Sequence, residues 1–168
     1  TLQVAGELSE YEAGPLIASA LGGILEQHTE ERVNVINAAA LAEARLGAGL
    51  GHHSLVLFTL GTGVGGAIIV DGQLYRGMHN SAGEIGHMVL DPDGPVCSCG
   101  GRGCLEAWAS STGLLRMARE AAGKKGADEA LAGLVAQQGK SLSTVDLARL
   151  ANAGNLAARE IFGLAGRR

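Results

Sequence analysis

Cysteine is scarce in this chain, with three residues in 168. An odd, small number does not build the disulfide framework of a secreted mini-protein, and a chain of this length has enough residues for one ordinary domain, or two small ones, with a real core. Long apolar runs are missing as well. The best candidate, SLVLFTLGTGVGGAIIVDG, is broken by glycines and reads as two strands around a loop, so no membrane span is expected. There is no basic excess: 13 Lys and Arg stand against 17 Asp and Glu, a formal net charge of −4, with no cationic stripe. That argues against a general binder of phosphate backbones, and no nucleic acid partner is expected. No charged start followed by an apolar run and a small-residue cleavage site is found, so the expected compartment is the cytoplasm. Aromatics make up only 3%, whereas glycine reaches 27 residues scattered through loops, the mark of tight turns and close backbone approaches rather than disorder.

The order of patterns gives the fold class. LQVAG alternates like a strand, and EYEAGPLIASALGGILEQ repeats its apolar residues at helical spacing, with Pro15 acceptable in a first turn. VNVI is a short strand candidate. NAAALAEARLG is helical and stops at Gly47. SLVLFTL, GAIIVDG and QLYRG follow as strands, with Asp71-Gly72 as a hairpin turn. Beyond the cysteines the chain turns helical, in CLEAWASSTGLLRMAREAAG, ADEALAGLVAQQ, STVDLARLANAG and NLAAREIFGLAGRR, with Ser143 and Asp146 as a start signal. Strands cluster first and helices last, so the class is α/β or α+β.

All the cysteines fall in GHMVLDPDGPVCSCGGRGCLE, ten residues and more after a histidine. His87, Cys97, Cys99 and Cys104 are three thiolates and one imidazole, a Cys₃His set that suits tetrahedral zinc. Four protein ligands leave no open position, so such a metal is structural. Gly100, Gly101 and Gly103 let the backbone curl around an ion. Two other readings stand beside it: buried free thiols acting as small hydrophobes, and a strained redox pair of Cys97 with Cys99. In TLGTGVGGAIIV the N–H groups from Gly61 to Gly66 and the Thr62 hydroxyl offer a cradle for phosphate oxygens. The alternative is a glycine-tight β-turn, since there is neither a lysine nor a helix after the glycines. Glu84 and Glu106 flank the metal set, and a pinned imidazole beside carboxylates is a good acceptor group for sugar hydroxyls; solvated surface acids are the alternative.

The glycine loop, AGEIGH and C-x-C-G-x-x-G-C-x-E occur together in LFTLGTGVGGAIIVDGQLYRGMHNSAGEIGHMVLDPDGPVCSCGGRGCLEAWAS. This stretch resembles the ROK family of bacterial sugar kinases and transcriptional repressors, above all its glucokinase-like members, over residues 37–168. The resemblance implies a partial actin-like ATPase (ribonuclease H-like) sheet with helices and a zinc loop. It implies ATP and Mg²⁺ as co-substrate and cofactor, with Gly61, Thr62 and Gly63 at the phosphates. It places structural zinc on His87, Cys97, Cys99 and Cys104, and a hexose on Asn34, Glu84, His87 and Glu106. A homo-oligomer is a further expectation, because the family's other lobe is not recognisable here.

Two departures qualify what the resemblance implies. The family's D-x-G-G-T phosphate loop has no counterpart, and in VNVINAAALAEA the family's basic aspartate is replaced by Val35, which cannot take a proton. No catalytic base is therefore assigned, and an impaired enzyme is expected, or a non-catalytic regulatory or recombined domain that binds zinc and a sugar or anion. Residues 1–47, with GEL, L-x-G-I-L and VNVINA, resemble the regulatory intervening domain of bacterial D-3-phosphoglycerate dehydrogenase. The expected organisation is thus a strand-helix-strand-helix segment over 1–47 and a kinase-like segment over 37–168, sharing a junction at 33–47 in a chimeric chain.

Overall fold

The structure is a computed structural model that describes residues 35–79 and 81–167. The expected strand LQVAG and the helix after it lie outside the described residues. The rest forms two compact units: residues 35–59 with 65–85, and residues 60–64 with 86–167.

In the first unit a helix, α1 (Val35–Leu46), is followed by strands β1 (Leu55–Leu60), β2 (Val64–Val70) and β3 (Gln73–Tyr75), paired in the order β1-β2-β3. Val35 and Ile36, expected at the end of a short strand, are instead the first residues of α1. The alanine-rich run behind them has high helix propensity and carries the helix back to Val35, while Ile36 gains a place in the core. β2 and β3 are antiparallel, with Ile69 opposite Leu74 and Val70 opposite Gln73. Asp71 at φ 50° and Gly72 at φ 76° form the left-handed two-residue turn between them, as the Asp-Gly pair predicts. Ala40, Leu41, Ala67 and Ile69 are buried in one cluster with Ile36, Leu55, Leu57 and Leu74 against them. Burial alternates along β1, as it must when one face of a strand is covered.

The second unit is the cysteine loop and five helices: α2 (Leu105–Ala109), α3 (Ser111–Ala122), α4 (Glu129–Gln138), α5 (Thr144–Asn152) and α6 (Leu156–Gly166). Where the pattern predicts one helix over CLEAWASSTGLLRMAREAAG, the structure has two. Ser110, buried and at φ −75°, ψ 161°, breaks the run, and its hydroxyl oxygen caps α3 by accepting from Gly113 N–H at 3.0 Å. Asp128 caps α4, Asn155 caps α6, and Ser143 with Asp146 forms a full capping box on α5. Met117, Ala118, Leu131, Leu147, Ala158 and Ile161 are central to the core these helices share.

Two substitutions test α5, one at its cap and one in its core. Ser143→Ala should cost about 1 kcal/mol in chemical denaturation, and Leu147→Ala, at a site with 0% exposure, about 2–5 kcal/mol. The Ser143 hydroxyl, then its N–H, holds the Asp146 carboxyl below its ordinary value of 3.8. A depressed carboxylate stabilises above its unfolded value and stops doing so as pH falls through its folded one, so acid should weaken the wild-type chain below about pH 4 and the Ser143→Ala chain less steeply.

Candidate metal centre and glycine turn

The second unit holds most of the predicted site. Its loop is stitched before any metal is considered. Val89 bridges Cys104 and Val96 bridges Arg102 in antiparallel fashion, while Cys97 N–H donates to Gly101 C=O at 2.9 Å and Gly100 N–H to Cys97 C=O at 3.0 Å. Gly103 sits at φ 65°, and a Cβ there would overlap the Asp91 carbonyl oxygen, so the loop can cross itself only at glycine.

This folding brings one donor atom from each of His87, Cys97, Cys99 and Cys104 within 4.8 Å of one another. Cys99 Sγ is 3.8 Å from Cys104 Sγ, and Cys97 Sγ is 3.6 Å from His87 Nδ1. A tetrahedral ion with bonds of about 2.3 Å to sulfur and about 2.0–2.1 Å to nitrogen places sulfurs about 3.8 Å apart and a sulfur about 3.6 Å from a nitrogen. The donor set and its spacing therefore fit a four-coordinate, closed metal site. They do not fit a disulfide, whose sulfurs are bonded at about 2.05 Å, and all three cysteines are free. Burial pushes the Cys104 thiol up to about 12, whereas a hydrogen bond from the Gly101 backbone, with Cys97 second, pulls Cys99 down. A metal must displace the Cys104 proton, so its affinity should rise with pH.

Glu106, on the first turn of α2, links this loop to the glycine turn. Its Oε1 accepts from the Ser98 hydroxyl at 2.7 Å and its Oε2 from Val64 N–H at 3.1 Å. The Ser98 hydroxyl chiefly, and the Val64 N–H less, hold its carboxyl below the ordinary glutamate value despite partial burial. A Cβ on Gly63 would stand 2.5 Å from Oε2, so the carboxylate can close on the turn only because residue 63 is glycine.

The turn is fixed from the other side by the start of α3. Ser111 N–H donates to Gly61 C=O at 2.8 Å and the Thr112 hydroxyl to Thr62 C=O at 2.9 Å. Gly61 N–H is spent on Gly63 C=O at 2.9 Å. Of the donors expected between Gly61 and Gly66, those of Gly61 and Val64 are thus committed internally. A cleft of about 280 Å³ lies between turn and loop, lined among others by Thr62, Gly63, Ser98, Glu106, Thr112 and Arg116. Ser98, Ser111 and Thr112 were not singled out by sequence reasoning. Their contacts reach across 8 to 50 residues and leave no spacing signal.

Glu84 stands in the first unit, exposed, with its N–H donating to Ser81 C=O at 3.2 Å. Asn34 lies outside the described residues. Val35 is 83% exposed at the start of α1.

The arrangement is a glycine turn, a closed Cys₃His centre and a carboxylate joining them, and the ROK family model matches residues 21–168. The chain belongs to the ROK family. It is 49% identical over 87 residues to a glucokinase of Thermotoga maritima, covering 52% of this chain and 27% of that one. Its fold is similar to that of the ROK hexokinase from Thermus thermophilus, with TM-score 0.68, 37% identity, and 86% of this chain and 44% of that one covered. It is also similar to a ROK family glucokinase from Streptomyces griseus whose structure holds glucose and AMPPNP, with TM-score 0.63, 36% identity, and 85% and 47% covered. The chain thus spans less than half the length of each of these relatives. Like them it is a mixed α/β chain, with a small three-stranded sheet among the described residues. The family match begins at residue 21, so it reaches into the 1–47 segment for which a different origin was expected. No helix among the described residues is long and apolar enough to cross a membrane.

Metal analysis of this ROK chain should find about one equivalent of zinc, and chelation should lower its melting temperature by well over 5 °C, because the backbone bonds within the loop do not offset the loss of four metal–ligand bonds. A metal-free chain that melts at the same temperature would contradict the site.

Proposed function

We propose that residues 37–168 form the zinc-holding, hexose-facing part of an ATP-dependent sugar kinase of the glucokinase-like type. The observation that carries this reading is the bridging position of Glu106, one oxygen on the metal loop and the other on the glycine turn. One carboxylate then sits where the sugar end and the phosphate end of a phosphoryl-transfer site must meet. Zinc is supported by the Cys₃His donor set, and it supplies fixed geometry rather than reactivity, since the site is closed. With Nδ1 of His87 turned to the metal, Nε2 would meet a sugar hydroxyl beside Glu106. Glu84 and Asn34 stay in the proposed sugar set on motif alone.

The ATP phosphates, with their Mg²⁺, would take the N–H groups of Thr62 and Gly63 and the Thr62 hydroxyl, the turn being pre-set by Ser111 and Thr112. A largely apolar cleft of about 360 Å³ beside Gly61, lined by Leu60, Leu114, Val145, Ala148 and Phe162 among others, suits the adenine. Transfer also needs a base for the attacking hydroxyl, and Val35 supplies none. The chain is accordingly proposed to bind more than it converts.

That same valine favours a second reading, a non-catalytic module that recognises a sugar or an anion. Residues 1–47 would add a phosphoglycerate dehydrogenase-like regulatory segment, fused to the kinase-like part at 33–47.

A coupled assay should show ATP- and glucose-dependent ADP release no faster than background. Release well above background would mean that another group takes the proton. Calorimetry with glucose and with N-acetylmannosamine should give heat with at least one of them, weakened about tenfold or more by Glu106→Gln, since an acceptor to a hydroxyl is lost. No heat with either would end the sugar reading.

A further inference from the structure

Ser98 stands in the C-x-C spacer, between two of the candidate metal ligands, where the motif itself asks for no particular side chain. Its hydroxyl nevertheless makes the shortest contact to Glu106, at 2.7 Å on Oε1, while Val64 N–H holds Oε2 at 3.1 Å. A carboxylate has about four acceptor directions, and with Cys97, whose Sγ stands 3.9 Å from Oε1, given over to the metal as a thiolate, these two bonds leave about two for ligand hydroxyls. Which two depends on the rotation of the carboxylate plane, a soft torsion in a free glutamate. Val64 alone fixes one oxygen and leaves the plane free to swing. The Ser98 hydroxyl fixes the second oxygen and with it the plane. Ser98 and Glu106 line the same cleft of about 280 Å³, together with Thr62 and Gly63 of the turn.

We infer that Ser98 is a positioning residue for Glu106: its hydroxyl sets the plane of the carboxylate, and so the lone pairs that a hexose hydroxyl meets in the cleft. This rests on the reading above, in which Glu106 receives a sugar hydroxyl. Because the Ser98 backbone is held between Cys97 and Cys99, closing the metal loop is what carries its hydroxyl to Oε1. The metal centre thereby acts on the sugar site through one side chain and not only through the loop's general shape.

The test uses the whole 168-residue chain loaded with zinc, in four forms: wild type, Ser98→Thr, Ser98→Val and Glu106→Gln. Threonine keeps the hydroxyl and valine replaces it with a methyl of the same bulk, so the pair isolates the hydrogen bond. Two quantities are read: the hydrogen-exchange rate of the Val64 amide, which needs no sugar, and the glucose dissociation constant by calorimetry, with zinc content measured alongside. Ser98→Val should raise both about tenfold, Ser98→Thr should leave both within about twofold of wild type, and zinc content should be equal in all four. If Ser98→Val changes neither quantity, or Val and Thr change them alike, the hydroxyl positions nothing and the inference fails. It also fails if Glu106→Gln weakens glucose and Ser98→Val does not, or if Ser98→Val alone loses zinc. Faster Val64 exchange in Ser98→Val alone, with no glucose heat from any form, upholds the positioning and overturns the sugar reading instead.

Discussion

Three sulfurs and an imidazole nitrogen gathered within 4.8 Å are the constraint on which the second unit depends. Thiolates repel one another at that range, and thiols gain little by meeting, so a cation is what makes such a cluster favourable. The burial that drives Cys104 to keep its proton in the absence of a cation expresses the same balance. The cluster closes on a backbone whose crossing at Gly103 against Asp91 is open only to a residue without a Cβ. Ser98 and Glu106 inherit their positions from it.

From that centre the influence passes to the glycine turn through hydrogen bonds rather than through packing. Glu106 takes the N–H at the exit of the turn, and the first residues of α3 take the carbonyls of Gly61 and Thr62. The turn is thereby held with two of its donors spent and its shape set in advance, the preorganisation that the proposed phosphate site would require. The break at Ser110 belongs to this scheme. A continuous helix would spend the Ser111 N–H inside itself, whereas the cap at Ser110 releases it toward Gly61.

The strongly local features were legible in the sequence: the Asp-Gly turn, the Ser143 and Asp146 box, the strand before the glycines and the metal donors in one short window. Each is written in a spacing of a few residues. The helix break at Ser110 was not, because its neighbours Ala109 and Ser111 carry no breaker and its cause lies at Gly61, fifty residues away. Val35 and Ile36 read as strand by their side chains, yet the alanines that follow govern them. Glu106 stands out in the sequence by its place two residues after Cys104, but its hydrogen-bond partners do not, since one is a spacer serine and the other a backbone N–H. The resemblance of residues 1–47 to a dehydrogenase segment rests on sequence pattern, and the described residues begin at Val35.

The central proposal is that a metal-closed loop builds a sugar site. The most direct measurement is a glucose titration by calorimetry on the same preparation before chelation, after chelation and after zinc is restored. The heat should disappear on removal of the metal and return with zinc. Glucose affinity that is unchanged in the metal-free chain would contradict it.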